Sequence, residues 1–181
     1  MNKIVAVVGM CGSGKSVAVE QFEKHGFKKV YFGQVTFDIL KERGIERTAE
    51  SEKMIREELR ASGDKGIYAK IYLPKIRELF KQGNVVIESM YSWSEYKYVK
   101  EEFGDVFEVL AIVTDRKKRY YRLTNRPIRP FSLKDAQERD YSEIENIEKG
   151  GPICIADHFI TNNDSKEEFV KKVNQYICSI K

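Results

Sequence analysis

The sequence predicts an α/β fold built around a parallel β-sheet. Two features carry this expectation: runs of β-branched residues alternate with stretches of helical spacing, and the first run, Ile4–Val8, is apolar throughout and ends in a glycine-rich turn. An unbroken apolar run is typical of a strand buried on both faces, as strands of parallel sheets are. Alternation of strands with helices is typical of α/β domains. The 181 residues fit one domain, since domains have roughly 100–200 residues.

The other elements are expected in a regular order along the chain. The first helix follows Ser16 and ends at His25-Gly26, where a glycine stops it. Residues 34–81 have helical spacing that is interrupted at 62–66. The remaining predicted elements are strands at 27–32, 84–88, 106–114 and 158–161 and a closing helix at about 166–179.

Composition excludes several classes of protein. With 41% hydrophobic residues the chain is too apolar for intrinsic disorder, and a net charge of +4 is too small to predict nucleic-acid binding by itself. Cys11, Cys154 and Cys178 form neither an even set nor a CxxC pair, so reduced thiols are expected. No segment approaches the ~20 apolar residues of a membrane span, and no signal peptide is recognisable. These features predict a cytoplasmic protein that contacts no membrane.

The most informative motif is a phosphate-binding loop at residues 9–16, whose sequence GMCGSGKS matches G-x-x-x-x-G-K-[ST]. Its glycines let successive backbone N–H groups point at phosphate oxygens, and the following helix adds the positive end of its dipole. Lys15 supplies a cation for the β- and γ-phosphates, and the Ser16 hydroxyl is a ligand for Mg²⁺. The alternative is a glycine-rich structural turn. The predicted cofactors are ATP and Mg²⁺, and the residues expected to bind them are Gly9, Gly12, Ser13, Gly14, Lys15 and Ser16.

Glu88 ends the third predicted strand, at the same sheet edge as the phosphate loop. A carboxylate at this place could hold Mg²⁺ through water or take a proton from an acceptor hydroxyl. The alternative is a strand-end acid that faces solvent.

An arginine series follows the fourth predicted strand. Residues 116–129 include seven basic residues and no acidic one, whereas residues 133–148 have six acidic residues against two basic ones. Arg119, Arg122 and Arg126 share one face if this segment is helical, and prolines after Arg126 are expected to break the helix near Arg129. Converging guanidinium groups suit a clamp over transferring phosphates. The alternative is a solvated basic helix face.

An aromatic cluster follows the third predicted strand and includes Tyr91, Trp93, Tyr96 and Tyr98. Core packing explains some of these residues. Residues 92–94 have a loop-like composition, however, where an aromatic ring such as that of Trp93 could stack on a ligand.

Taken together, these motifs resemble the adenylate-kinase-related, dephospho-coenzyme-A-kinase-like proteins common in archaea. The resemblance covers nearly the whole chain and rests on four segments: the phosphate loop, residues 119–129, Glu138-Arg139-Asp140, and residues 155–163 with the sequence IADHFITNN. It implies the nucleoside monophosphate kinase fold, a three-layer α/β sandwich with a five-stranded parallel sheet in the order 2-3-1-4-5. It also implies that Arg122, Asn162 and Asn163 lie near the adenine. In the kinase hypothesis the residues expected to be catalytic are Lys15, Arg122, Arg126, Arg129 and Glu88.

The resemblance also implies an internal division of the chain. The core would comprise residues 1–33, 82–126 and 150–181, and helices at about 34–81 would bind the acceptor. Residues at about 127–149 would form a small, mobile helical lid that carries Arg126, at its border with the core, and Arg129. The acidic helix around Arg139-Asp140 would close this lid.

The expected acceptor site departs from the family pattern. Gln34 and Phe37 stand where an Asp and an Arg are expected, and Glu88-Ser89-Met90-Tyr91 replaces an Asp-Gly-x-Arg pattern. Each lost arginine removes a charge-assisted phosphate contact typically worth about 1.5–3 kcal/mol. Arg56 and Arg60 are the candidates to compensate in part. We therefore expect a retained donor half and a rebuilt acceptor half, and the residues expected to bind the acceptor are Gln34, Phe37, Arg56, Tyr91 and Trp93.

Three functional hypotheses follow. The leading one is a kinase that transfers phosphate from Mg·ATP to a small nucleotide-like acceptor, and adenine is favoured because no Asn-Lys-x-Asp guanine motif is present. The second is a nucleotide-binding or nucleotide-hydrolysing regulatory protein that has lost transfer to a small acceptor. The third takes residues 116–129 as a nucleic-acid contact, which the neighbouring acidic segment disfavours.

Overall fold

The structure is a computed structural model that describes residues 2–61 and 63–181, except for the side chain of Arg60. The described residues form a five-stranded, fully parallel sheet in the order β2-β3-β1-β4-β5, which confirms the predicted fold class and strand order. The strands are β1 Ile4–Val8, β2 Lys28–Tyr31, β3 Val85–Glu88, β4 Phe107–Val113 and β5 His158–Thr161. Each lies within a residue or two of its predicted position.

Strand β1 lies at the centre of the sheet and sorts its side chains onto both faces. All five of its residues are buried. Ile4, Ala6 and Val8 pack into one apolar cluster, whereas Val5 and Val7 pack into another on the opposite face. The unbroken apolar run is therefore explained by burial on both sides.

Helices cover both faces of the sheet. Over the described residues they are α1 Lys15–Lys24, α2 Gln34–Glu42, α3 Ala49–Arg60, α4 Ile67–Lys81, α5 Trp93–Phe103, α6 Arg116–Thr124, α7 Leu133–Glu145, α8 Gly150–Cys154 and α9 Lys166–Ile180. One cluster joins the sheet to α1 and α9 through buried side chains such as Phe22 and Phe169. The other joins it to helices that include α4 and α5, with Ile76 and Val99 buried there. The predicted three-layer arrangement is confirmed.

The segment predicted as helical at residues 34–81 contains three helices. The break near residues 62–66 was expected, but the chain is also non-helical between Glu42 and Ala49. Thr48 begins α3 as an N-cap, because its side chain accepts a hydrogen bond from the Ser51 amide. The polar cap therefore marks a boundary that apolar spacing alone does not reveal.

Helix α6 is shorter than the arginine series predicts. It ends at Thr124, so Arg126 lies outside it and does not share a helical face with Arg119 and Arg122. Pro127 disfavours the helical conformation of the residue before it, which explains why the helix stops short of Arg126. None of the helices in the described part of the chain is long and apolar enough to cross a membrane.

Candidate functional site

The phosphate loop leaves the carboxyl end of β1 and enters α1. Gly9 and Gly14 have φ values of +145° and +100°, which side chains rarely adopt. No side chain caps α1 at Gly14, so its first amides are left for a ligand. The loop is held by the residues that follow β4 and β5, because the Asn162 amide and the Thr114 hydroxyl donate to the Ser13 carbonyl at 2.8 and 3.1 Å.

Replacement of Gly14 by alanine is expected to destabilise the protein more than replacement of Gly26. Both residues have positive φ, so both substitutions incur a left-handed backbone cost of about 1–2 kcal/mol. At Gly14 the new Cβ would also lie 2.3 Å from Nδ2 of Asn162, whereas at Gly26 nothing lies within 4 Å. The clash should add about 1–3 kcal/mol. Urea unfolding of the two variants measures the difference, and equal losses would contradict a loop clamped by Asn162.

Lys15 lies in the loop with its charge uncompensated. Its ammonium donates to the Met10 carbonyl at 2.9 Å, and within the described residues it makes no ion pair. Burial, with repulsion from Lys149, lowers the pKa of Lys15 to about 8. A buried cation of this kind favours an anionic ligand that would neutralise it.

Ser16 and Glu88 meet between the loop and the end of β3. The Ser16 hydroxyl lies 3.5 Å from the Glu88 carboxylate. A hydroxyl and a carboxylate are hard oxygen ligands, and Mg²⁺ typically binds one or two such groups together with water and phosphate oxygens. The two side chains therefore have the chemistry to hold a magnesium ion, and the metal site stays a prediction.

The predicted arginine clamp is not formed as a single face. Arg119 is buried and makes two hydrogen bonds to Asp140 at 2.8 and 2.7 Å, and it donates to the Cys11 carbonyl at 3.1 Å. It therefore stabilises the phosphate loop from behind. Arg126 donates to the Arg129 carbonyl at 2.6 Å, so these two residues lie in the connection that follows α6.

Arg122 contacts Asn162, the residue with which it is expected to share the adenine side of the site. One of its guanidinium nitrogens donates to the Asn162 carbonyl at 2.9 Å, whereas the other, NH1, is buried without a hydrogen-bond partner in the described part of the chain. Such an orphaned donor is costly unless a ligand satisfies it. Asn163 points elsewhere: its amide group exchanges hydrogen bonds with the backbone and side chain of Asp115 and fixes the start of α6.

A cavity of about 240 Å³ lies beside the phosphate loop, on the side of β2 and β3. Among the predicted acceptor residues, Phe37, Arg56 and Tyr91 line it. Gln34 does not; it is exposed and donates to Asp38 at 2.8 Å. The side chain of Arg60 lies outside the described residues.

Trp93 is also absent from this cavity, and the loop predicted around it is helical. Ser92 caps α5 by a reciprocal capping box with Glu95, so Trp93 begins the helix. Its ring stacks on Tyr96 at a centroid distance of 4.9 Å. The pattern Ser-x-x-Glu at residues 92–95 could have predicted this helix start.

The cavity walls are rich in rings and hydroxyl groups. The hydroxyls of Thr36 and Tyr68 lie 3.0 Å apart, and those of Ser89 and Tyr91 lie 2.8 Å apart. Ser89 has a φ of +68°, a strained conformation of the kind that clusters at functional sites. Residues that line the cavity without having been predicted are Tyr31, Phe32, Gly33, Thr36, Glu52, Tyr68, Ser89, Glu95, Arg139 and Ile147.

The guanidinium groups at this cavity are paired with carboxylates. Arg56 lies 3.4 Å from Glu52, and Arg139 lies 3.0 Å from Glu143. The hydrogen bond from Arg47 lowers the pKa of Glu52, which therefore stays ionised. The cavity thus has little uncompensated positive charge with which to bind a second phosphate group.

Two residues near the loop had no sequence signal that singled them out. Glu143 of α7 accepts a hydrogen bond from the Cys11 amide at 3.2 Å, and Lys149 pairs with Glu143 at 2.8 Å. Glu143 belongs to the acidic segment and Lys149 follows it directly. The composition of that segment is typical of a solvated helix face. Their burial depends on packing of α7 against the loop, which no local pattern reports.

Comparisons with known proteins identify the family to which the sequence is similar. A family profile described as an AAA domain matches residues 5–158. A UPF0200 protein of Thermococcus gammatolerans is 35% identical and covers 98% of this chain and 95% of its own length.

Solved structures share the fold at low sequence identity. Dephospho-CoA kinase from Campylobacter jejuni has a TM-score of 0.61 at 21% identity, over 99% of this chain and 97% of its own. Shikimate kinase from Acinetobacter baumannii, in complex with shikimate, has a TM-score of 0.62 at 15% identity, over 100% of this chain and 96% of its own. The chain therefore has a P-loop kinase-like fold.

Proposed function

The chain belongs to the AAA domain family and to the UPF0200 proteins, and from that premise we propose that it is an ATP-dependent phosphotransferase acting on a small nucleotide-like acceptor. The proposal has two parts. The phosphate loop binds the donor, and the cavity beside it binds the acceptor.

The observation that carries the proposal is a connection between loop and cavity through two side chains of α7. Glu143 contacts the Cys11 amide of the loop and pairs with Arg139, and Arg139 lines the cavity. The cavity therefore lies close to the loop, and in this proposal a phosphoryl group bound at the loop faces a molecule bound in the cavity. Such juxtaposition is what phosphoryl transfer requires, because its catalysis is almost entirely positioning and charge neutralisation.

Each residue has a chemical task in this proposal. Lys15 and the loop amides hold the β- and γ-phosphates, and Ser16 and Glu88 hold Mg²⁺, which would neutralise charge on the phosphates. Transfer breaks the bond between the γ-phosphorus and the β–γ bridging oxygen and forms one from the acceptor oxygen to that phosphorus. The acceptor proton passes to Glu88 or, where Glu88 holds the metal through water, to solvent, and ADP leaves.

The arginines would complete this donor site. Arg122, through its orphaned nitrogen, contacts the donor beside Asn162. Within the expected lid at about 127–149, α7 already packs against the loop. Arg126 and Arg129 would therefore approach the transferring group by movement of the connection between α6 and α7. Closure of this kind would exclude water from the transferring group.

We propose an acceptor less anionic than a nucleoside monophosphate. The cavity guanidiniums are already paired with carboxylates, and its walls offer aromatic rings and hydroxyls. The fold is shared with a kinase named for dephospho-CoA and with one that binds shikimate, which supports a small acceptor.

A screen of ADP release tests this function. The protein, Mg²⁺ and ATP are incubated with nucleoside monophosphates, nucleosides and dephospho-CoA in turn. We expect ADP release to be stimulated by an acceptor that places no phosphomonoester group in the cavity. The cavity arginines are paired with carboxylates, so none is available to bind such a group. A clear preference for a standard nucleoside monophosphate would contradict the rebuilt acceptor site.

A regulatory nucleotide-binding protein is the second candidate. The contact between Glu143 and the phosphate loop favours it, because a helix that senses loop occupancy is a possible switch element. Slow ATP hydrolysis that no acceptor stimulates would support this function over the first. Nucleic-acid binding is disfavoured, since Arg119 of the basic segment is buried against Asp140.

A further inference from the structure

A buried ion pair lies against the phosphate loop. The Lys149 ammonium is 2.8 Å from the Glu143 carboxylate, and the two side chains are 3% and 2% exposed. The same Glu143 oxygen accepts from the Cys11 amide at 3.2 Å, and the other oxygen accepts from Arg139 at 3.0 Å. One buried carboxylate thus links the loop, a lysine and an arginine.

The charges around this carboxylate do not balance. Lys15, Lys149 and Arg139 carry three positive charges against the single negative charge of Glu143, since Arg119 is neutralised by Asp140. Burial, helped by neighbouring Arg139, keeps the pKa of Lys149 below its usual value despite Glu143. Arg139 is 45% exposed and partly solvated, whereas Lys149 is 3% exposed and Lys15 is half-buried. Positive charge beside the loop therefore still exceeds the one carboxylate and favours a polyanionic ligand.

Lys149 stands at the junction of loop and cavity. Its ammonium lies 4.5 Å from the ring centroid of Tyr91, which lines the cavity. Its backbone is fixed as well: Glu148 has a φ of +58°, and the Lys149 amide donates to the Glu143 carbonyl at 3.0 Å. A strained turn that ends α7 therefore places this lysine where donor and acceptor would meet.

We propose that Lys149 is a second phosphate-binding lysine, which Glu143 holds in place until nucleotide binds. In this proposal the nucleotide phosphates replace the Glu143 carboxylate at the Cys11 amide, and Lys149 then contacts the γ-phosphate. Glu143 stays paired, because Arg139 already bonds its other oxygen. The inference rests on the proposed function, since it needs ATP in the phosphate loop.

Equilibrium binding of ATP and ADP, measured by calorimetry in EDTA, tests the inference without turnover or metal. Glu143→Gln removes the competing charge and should tighten ATP binding about tenfold, the value of one charge-assisted contact. Lys149→Met should weaken ATP binding about tenfold and ADP binding far less, because ADP lacks the γ-phosphate. Glu145→Gln, an exposed neighbour on α7, is the matched control and should change neither affinity.

The double variant Glu143→Gln/Lys149→Met covers the case in which a single variant fails to fold, since removing both charges of a buried pair is often nearly neutral. It should fold and lose the ATP-over-ADP preference. The inference would be overturned if Glu143→Gln bound ATP with unchanged affinity and the double variant kept the wild-type preference for ATP over ADP. The ion pair would then be purely structural, and the proposed function would stand. A wild-type protein that binds neither nucleotide would overturn the proposed function and this inference with it.

Discussion

We expect replacement of Lys15 by methionine to lower the rate of ATP turnover by about 100- to 1,000-fold, the usual cost of removing one charge-stabilising group from an active site. Methionine keeps most of the length of the side chain and loses only the cation that would neutralise the phosphates. ADP release in the presence of Mg²⁺ and ATP measures the effect. The control is Lys75→Met, at an exposed lysine of α4 that pairs with Glu78, and its turnover should be that of wild type.

The same substitution should leave the protein as stable as wild type, or more stable. Burial lowers the pKa of Lys15 from 10.5 to about 8, so the folded state binds its proton less tightly than the unfolded state does. At neutral pH, below both values, the ammonium is charged in both states and the folded state carries the whole cost of burying it. Urea unfolding at that pH separates catalysis from folding. A variant that retains more than about a tenth of the wild-type turnover would contradict the catalytic role of Lys15. A variant that unfolds at lower urea than wild type would contradict the cost of burying the ammonium.

Replacement of Asp140 by alanine is expected to lower the free energy of unfolding by about 3–5 kcal/mol, because it leaves the buried Arg119 charge without its partner. Asp140 and Arg119 are 8% and 7% exposed. Since Arg119 also donates to the Cys11 carbonyl, the variant should weaken nucleotide binding as well. Urea unfolding and calorimetry measure the two effects.

The chain offers a matched control for this ion pair. Glu58 accepts two hydrogen bonds from Arg43 at 2.7 and 2.6 Å, the same pattern, but the two side chains are 52% and 44% exposed. Glu58→Ala should change stability little, since water solvates the arginine that remains. Similar losses in the two variants would mean that burial is not what makes the Asp140 pair important.

Local patterns predict the donor side of this molecule well. An apolar run followed by GxxxxGKS predicts a strand, a phosphate loop and a helix in that order. The three elements are adjacent in sequence, so local patterns are enough to place them next to one another. Glu88 could be placed beside Ser16 because parallel strands bring their carboxyl ends to one edge. The strand order was predicted from the family resemblance, because the sequence of a strand does not determine which strands pair with it.

The parts that sequence reasoning missed depend on contacts between distant segments. Spacing predicts that Arg119, Arg122 and Arg126 face one way, but Pro127 ends α6 early and Asp140 removes Arg119 from the surface. Lys149 and Glu143 become site residues only because α7 packs over the loop. Trp93 is different: its helix was predictable from the capping box, and the loop-like serines outweighed that signal.

The central position of β1 has a consequence for how the protein is made. This strand is synthesised before either of its neighbours, which pair through Val85 and Phe107, and the loop behind it is held by Asn162. Ribosomes add about 5–20 residues per second, so an apolar segment destined for the core emerges long before its partners do. Chaperones are therefore expected to meet β1 on the nascent chain, and affinity for nucleotide should appear only after Asn162 has emerged from the ribosome.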